Sequence, residues 1–150
     1  MNAPGPDPAP LDDVADPDAL LARARARYRR MDARAAAAAR ADGALLVDIR
    51  PEAERAREGT VPGAVVIERN ALEWRLAPSG THRIPELNQA DRPVIILCAE
   101  GDASSLAVAS LLDLGLSRAT DVVGGFRAWK DAGLPVRAVP RQTVLTFAAV

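Results

Sequence analysis

Three short, unbroken apolar runs punctuate this chain: Ala44-Leu45-Leu46-Val47, Ala64-Val65-Val66-Ile67 and Val94-Ile95-Ile96-Leu97. A strand with one wet face alternates apolar and polar residues, whereas an unbroken run marks a strand buried on both faces. Thr120-Asp121-Val122-Val123 adds a fourth β-type segment. Helical stretches lie between the runs. Pro51 opens one that Gly59 closes. Ser104–Leu114 follows, with Leu106, Ala109 and Leu112 inward and Gly115 at its end, and Phe126–Ala132 stops at Gly133 and Pro135. Alternating strands and helices predict an α/β fold, a mostly parallel sheet with helices on both faces.

The 150 residues fit one domain, and 49% hydrophobic content supplies a core. Only five residues are aromatic, so that core is aliphatic. Residues 1–16 hold four Asp, four Pro and no Lys or Arg, the composition of a disordered acidic tail and the opposite of a transit peptide. Asp16-Pro17-Asp18 is a strong helix start. Leu21, Ala24, Tyr28, Met31, Ala35 and Ala38 then recur at helical spacing, predicting one amphipathic helix over residues 17–42 that Gly43 ends. Its other faces carry Arg23, Arg25, Arg27, Arg29, Arg30, Arg34 and Arg40, read first as a solvated surface and second as a dock for RNA or an acidic partner. A net charge of −1 argues against nucleic-acid binding by the chain as a whole. No run reaches the roughly 18 apolar residues of a membrane span, so the expected setting is cytoplasmic, with no membrane partner. Residues 138–150 form a C-terminal extension, either a loose tail or an edge strand at Val144–Phe147.

One cysteine excludes an intrachain disulfide, and one cysteine with one histidine excludes a four-ligand zinc site, so no metal is expected. Cys98 closes the run Val94–Leu97 and precedes the short loop Ala99-Glu100-Gly101-Asp102-Ala103-Ser104, which opens into a helix. Ligands in open α/β sheets bind outside the carboxyl ends of strands. A loop this short wraps the sulfur, aims backbone N–H groups at it and adds the helix N-terminus, all favouring an anionic sulfur without a histidine. The alternative is a buried cysteine acting as a small hydrophobe. His82 lies in the polar loop Pro78–Arg83 and reads as a solvated residue. Arg69 and Arg75, after the second run, are candidate substrate anchors with Trp74 as a pocket wall, or else ordinary surface residues.

The ordered motifs resemble the rhodanese (thiosulfate sulfurtransferase) homology domain in its single-domain form. Asp48-Ile49-Arg50 is similar to the family's strand-ending Asp-x-Arg, with Glu54 four residues beyond the arginine. Gly59-Thr60-Val61-Pro62-Gly63-Ala64 resembles Gly-His-Ile-Pro-Gly-Ala with threonine for histidine, and Cys98–Ser104 resembles the active-site loop. Gly124-Gly125-Phe126-Arg127-Ala128-Trp129 and Ala132-Gly133-Leu134-Pro135-Val136 resemble the closing motif. The resemblance implies a three-layer fold over residues 17–137 with about five strands and no cofactor. It implies that Cys98 takes sulfane sulfur from a small donor as a persulfide and passes it to a thiol or cyanide-like acceptor, or to a sulfur-relay protein. The amides of Ala99, Glu100, Gly101, Asp102, Ala103 and Ser104 would hold that persulfide, helped by a hydroxyl of Ser104 or Ser105. Asp48, Arg50 and Glu54 read as structural support, with Arg50 paired to Glu54 or Glu58.

The loop departs from many active members. No arginine stands between Cys98 and Ser105, which removes a Cys-x5-Arg phosphate clamp, and Glu100 and Asp102 are acidic. Two function classes follow: a sulfurtransferase, or a catalytically weak or inactive binding and regulatory module.

Overall fold

The computed structural model describes residues 2–13 and 15–140, so the possible strand at Val144–Phe147 lies outside the described residues. Four strands form one parallel sheet: β1 (Leu45–Asp48), β2 (Val65–Val66), β3 (Val94–Leu97) and β4 (Ala119–Asp121), in the order β2-β1-β3-β4. The described sheet is thus one strand short of the expected five. β1 and β3 run in register from Leu45 opposite Val94 to Asp48 opposite Leu97. Both are buried along their whole length, whereas β2, at the sheet edge, departs from the expectation for an unbroken run: Val65 is part-buried and Val66 is 44% exposed.

Strand period two divides the core into two layers. Leu45, Val47, Val94, Ile96 and Cys98 face one side, packing with Leu72 and Leu76 of α4 (Leu72–Leu76) and Ala107, Val108 and Leu111 of α5 (Ala103–Asp113). Leu46, Ile95 and Leu97 face the other, with Ala33 and Ala36 of α2 (Ala33–Ala41) and Phe126 and Trp129 of α6 (Gly125–Asp131). Each large buried side chain contributes about 1.5–3 kcal/mol. Trp129 also donates its indole N–H to the Pro135 carbonyl at 2.9 Å.

Two expectations about helices need correction. The inner face of α5 is Ser104, Ser105, Ala107, Val108 and Leu111, while Leu106 is 39% exposed. The apolar spacing misleads because two serines face inward on a buried carboxylate. The single helix over residues 17–42 is two: α1 (Pro17–Arg25), capped by Asp16 through the Ala19 N–H, and α2, capped by Asp32 through the Ala35 N–H. Between them the chain runs beside β4. Met31 N–H donates to the Asp121 carbonyl, Val123 N–H to the Met31 carbonyl, and the Thr120 hydroxyl to the Arg29 carbonyl. Helix propensity, a few tenths of a kcal/mol per residue, is outweighed by these bonds, which satisfy an otherwise bare sheet edge.

The arginine face is only partly solvated: Arg23, Arg27, Arg29 and Arg34 are exposed, while Arg25, Arg30 and Arg40 are part-buried. Arg27 pairs with Asp113, Arg34 donates to the Ala132 carbonyl and Arg40 to the Pro62 carbonyl. At the other end, Thr60 and Arg137 exchange backbone hydrogen bonds, tying the segment after α6 to the loop that follows α3 (Glu52–Glu58).

Candidate active site

The strand order sets the position of the site. From β1 the chain passes through α3 to β2 on one side, then returns to β3 on the other. The carboxyl ends of β1 and β3 therefore diverge into a crevice. Cys98 leaves β3 at that crevice and is 6% exposed. Its Sγ accepts the N–H of Gly101 at 3.1 Å and of Ser104, in the first turn of α5, at 3.3 Å. Two loop amides and the positive end of a helix thus converge on one sulfur.

Backbone shape makes the convergence possible. Gly101 has φ +93°, and a Cβ there would lie 2.8 Å from the Gly124 nitrogen and 3.1 Å from the Val122 oxygen. Gly125, φ +61°, lies under the loop: a Cβ there would sit 2.8 Å from the Gly101 nitrogen and press into the Cys98 carbonyl. That close approach lets the Phe126 and Arg127 N–H groups donate to the Cys98 and Ala99 carbonyls at 2.8 and 3.1 Å.

Behind the loop lies a residue that motif reasoning passed over. Asp121 is fully buried and accepts five hydrogen bonds. They come from Tyr28 Oη (2.8 Å), Arg30 Nε (3.0 Å) and Nη2 (3.2 Å), and the hydroxyls of Ser104 (2.7 Å) and Ser105 (2.8 Å). Arg30 also donates to the Gly101 carbonyl at 2.8 Å, as does Arg25 at 2.9 Å. The serine hydroxyls are therefore committed away from the sulfur, and Ser104 reaches Sγ through its backbone. Burial raises the Tyr28 pKa to about 12, reinforced by the Asp121 charge. Burial opposes the Arg30 charge, but the hydrogen bond and charge of Asp121 outweigh it and hold the guanidinium above its ordinary value. An Asp inside an otherwise β-type segment was the available signal, and it becomes informative only once Tyr28 and Arg30 are known to lie beside it.

The acidic loop is neutralised from outside. Glu100 pairs with Arg127 and Asp102 with Arg25, both at 3.0 Å. Arg50 is fully buried. Its Nε and Nη2 grip the Asp48 carboxylate, Nη2 also donates to the Gly59 carbonyl, and the guanidinium carbon lies 3.8 Å from the centroid of the Phe126 ring. Glu58 approaches its Nη1 at 3.8 Å, whereas Glu54 makes no ion pair among the described residues. The Asp48–Arg50 support is present, and the alternative Glu54 partnership is not.

A pocket of about 540 Å³ opens at Cys98, lined by Ile49, Arg50, Pro51, Glu54, Glu58, Arg69, Cys98, Ala99, Glu100, Asp102 and Ala103. Of the three residues read as substrate contacts, only Arg69 reaches it. It is held by Glu73 at 2.8 and 2.9 Å. Burial opposes the Glu73 charge, but hydrogen bonds from Ser110 and Arg69 prevail and lower its pKa. Trp74 is 63% exposed and lines no part of the pocket, and Arg75 turns to the His82 carbonyl. Short α4 ends at Leu76, and its buried Leu72 and Leu76 fix a rotation that sends Trp74 and Arg75 away. His82 is exposed, and no group of three or more metal-binding side chains occurs among the described residues.

The Rhodanese-like domain family model matches residues 32–132. The chain belongs to the rhodanese-like family. A sulfurtransferase of Allochromatium vinosum is 39% identical over 94 residues, covering 63% of this chain and 78% of that protein. The thiosulfate sulfurtransferase GlpE of Pseudomonas entomophila is 31% identical over 105 residues, covering 69% and 86%. Among solved structures, a Rhodopseudomonas palustris protein of unknown function, described as a possible tyrosine phosphatase, aligns with a TM-score of 0.76. It is 30% identical and covers 87% of this chain and all of that one. The family match begins at residue 32, so α1, Tyr28 and Arg30 brace the rhodanese loop from outside the matched region.

Proposed function

We propose that this rhodanese-like protein is a sulfurtransferase that carries sulfane sulfur as a persulfide on Cys98. The observation that carries the reading is the convergence of the Gly101 and Ser104 amides on Sγ at the floor of an open pocket. The Cys98 thiolate attacks the outer sulfur of a donor such as thiosulfate. The donor S–S bond breaks, sulfite leaves with the electron pair, and Cys98 gains one sulfur. An acceptor thiolate or cyanide then attacks the terminal sulfur, and the electron pair of the broken bond returns to Sγ. Preorganised amides supply charge stabilisation throughout, with Ala99, Glu100, Asp102 and Ala103 as further donors to the terminal sulfur. Asp48 and Arg50 act as supports, and Arg69 is a cation lining the pocket that an incoming donor enters.

A phosphatase reading, raised by the R. palustris neighbour, is disfavoured by the same geometry. The guanidiniums of Arg25 and Arg30 grip the Gly101 carbonyl and line no part of the pocket, and Asp48 and Glu73 hold those of Arg50 and Arg69. Ion pairing of Glu100 and Asp102 likewise removes much of the repulsion that favoured an inactive module. Intact-mass spectrometry after exposure to thiosulfate, and separately to a glutathione persulfide donor, is the test. A one-sulfur adduct on wild type, absent in Cys98→Ser and discharged by cyanide, is expected. Failure of both donors to load Cys98 would favour the binding module.

A further inference from the structure

The pocket around Cys98 has a charge balance that favours a cationic ligand over an anionic one of like size. Four carboxylates line it, those of Glu54, Glu58, Glu100 and Asp102, against two guanidiniums, those of Arg50 and Arg69. Ion-pair partners do not restore neutrality. Adding Asp48, Glu73, Arg25 and Arg127 gives six carboxylates and four guanidiniums. Among the described residues Glu54 is the pocket carboxylate that makes no ion pair, half-buried on α3. The volume, about 540 Å³, lies within the usual range for organic ligands and exceeds what a triatomic or tetrahedral anion needs.

We propose that this site selects sulfur acceptors that carry a positive charge beside the sulfur, namely aminothiols, with Glu54 as the residue that receives the ammonium group. The inference rests on Cys98 being the sulfur-carrying residue. The acceptor's thiolate attacks the terminal sulfur of the Cys98 persulfide, the Cys98 S–S bond breaks, its electron pair returns to Sγ, and the aminothiol leaves as its persulfide. An anionic acceptor meets both the persulfide charge and the unneutralised carboxylates. An ammonium-bearing acceptor offsets them. Charges a few ångströms apart in a partly solvated pocket discriminate by about tenfold, and salt reduces the effect.

Two readouts separate this inference from the reading beneath it. The first needs no turnover: modification of Cys98 by aminoethyl and by sulfonatoethyl methanethiosulfonate, of near-equal size and opposite charge. In each, the Cys98 thiolate attacks the sulfenyl sulfur and methanesulfinate leaves. Relative to a free thiol, the cationic reagent should be favoured about tenfold at low salt. Glu54→Gln should cut that preference about threefold, and high salt should shrink it in both proteins. The second is discharge of the preloaded persulfide by cysteamine, 2-mercaptoethanol and 3-mercaptopropionate, each rate divided by that of its uncatalysed persulfide exchange. The order cationic, neutral, anionic is expected, compressed in Glu54→Gln. Equal reagent rates, or a preference indifferent to Glu54→Gln, would overturn the aminothiol assignment while leaving sulfur transfer intact. Failure of Cys98 to load overturns both.

Discussion

Substituting Asp121 with asparagine changes little volume but removes the charge on which the back of the active-site loop is hung. Asparagine keeps one acceptor oxygen, enough for Tyr28 Oη and Arg30 Nε. Its amide nitrogen faces the Ser104 and Ser105 hydroxyls and Arg30 Nη2, which the carboxylate accepts at 2.7, 2.8 and 3.2 Å. The hydroxyls can rotate and accept from that nitrogen, so their loss is about 1 kcal/mol each at most. Arg30 cannot adapt: its side chain is 18% exposed, and its remaining strong acceptor is the Gly101 carbonyl. Breaking a buried pair by removing one charge costs about 3–5 kcal/mol, and partial exposure of Arg30 puts the expected loss near the lower figure, about 3 kcal/mol. Urea unfolding measures it, with buried Trp129 as the fluorescent reporter in a Trp74→Phe background. A cycle with Arg30→Met should give a coupling of about 2 kcal/mol or more, since removing both charges leaves neither uncompensated. Because Ser104 ties Asp121 to the amide that meets Cys98 Sγ, persulfide loading of the folded Asp121→Asn protein should also slow. Stability within 0.5 kcal/mol of wild type together with a coupling near zero would refute the network argument.

Tyr28 and Glu73 give opposite pH limbs. Tyr28 is neutral in the fold with a pKa of about 12 against an ordinary 10.0, so its contribution is complete below pH 10 and is lost as pH rises to 12; Tyr28→Phe should flatten that alkaline limb in a pH series of urea midpoints. Glu73 is held charged below its ordinary range, so its contribution is present above that range and disappears as pH falls through the lowered value; Glu73→Gln should flatten the acid limb. Gly125→Ala places a methyl group against the Gly101 nitrogen at positive φ, and a loss of about 2–4 kcal/mol in urea unfolding is expected, with slower Cys98 loading in whatever remains folded.

What could be read from the sequence was whatever depends on neighbours along the chain. Val94–Leu97 had to be doubly buried, Cys98 had to end it, and Gly124-Gly125 had to turn sharply beside it, because composition and spacing fix strand type, strand end and backbone freedom locally. Residues 17–42 failed as one helix because the deciding contacts are long-range. Nothing between Arg25 and Asp32 disfavours a helix strongly, and the break is repaid only by β4, some 90 positions away. Asp32 was the local trace of it, a second capping residue inside an apparently continuous pattern. The partners of Glu100 and Asp102 were not legible for the same reason, since Arg127 and Arg25 reach them from α6 and α1. The two readings of Trp74 and Arg75 could not be separated because a five-residue helix has too few turns for its inward face to be read, whereas Leu72 and Leu76 settle it in three dimensions. The loop lost its own arginine without losing cationic support. Arg25 and Arg30, which precede the family's matched region, hold the Gly101 carbonyl and the Asp102 carboxylate, Arg127 within it holds Glu100, and the pocket side stays acidic. Amide placement and charge around Cys98 therefore have different sources: the amides that meet Sγ are those of Gly101 and Ser104, whereas the charge of the pocket combines the loop's own Glu100 and Asp102 with Arg50, Glu54, Glu58 and Arg69 packed around it.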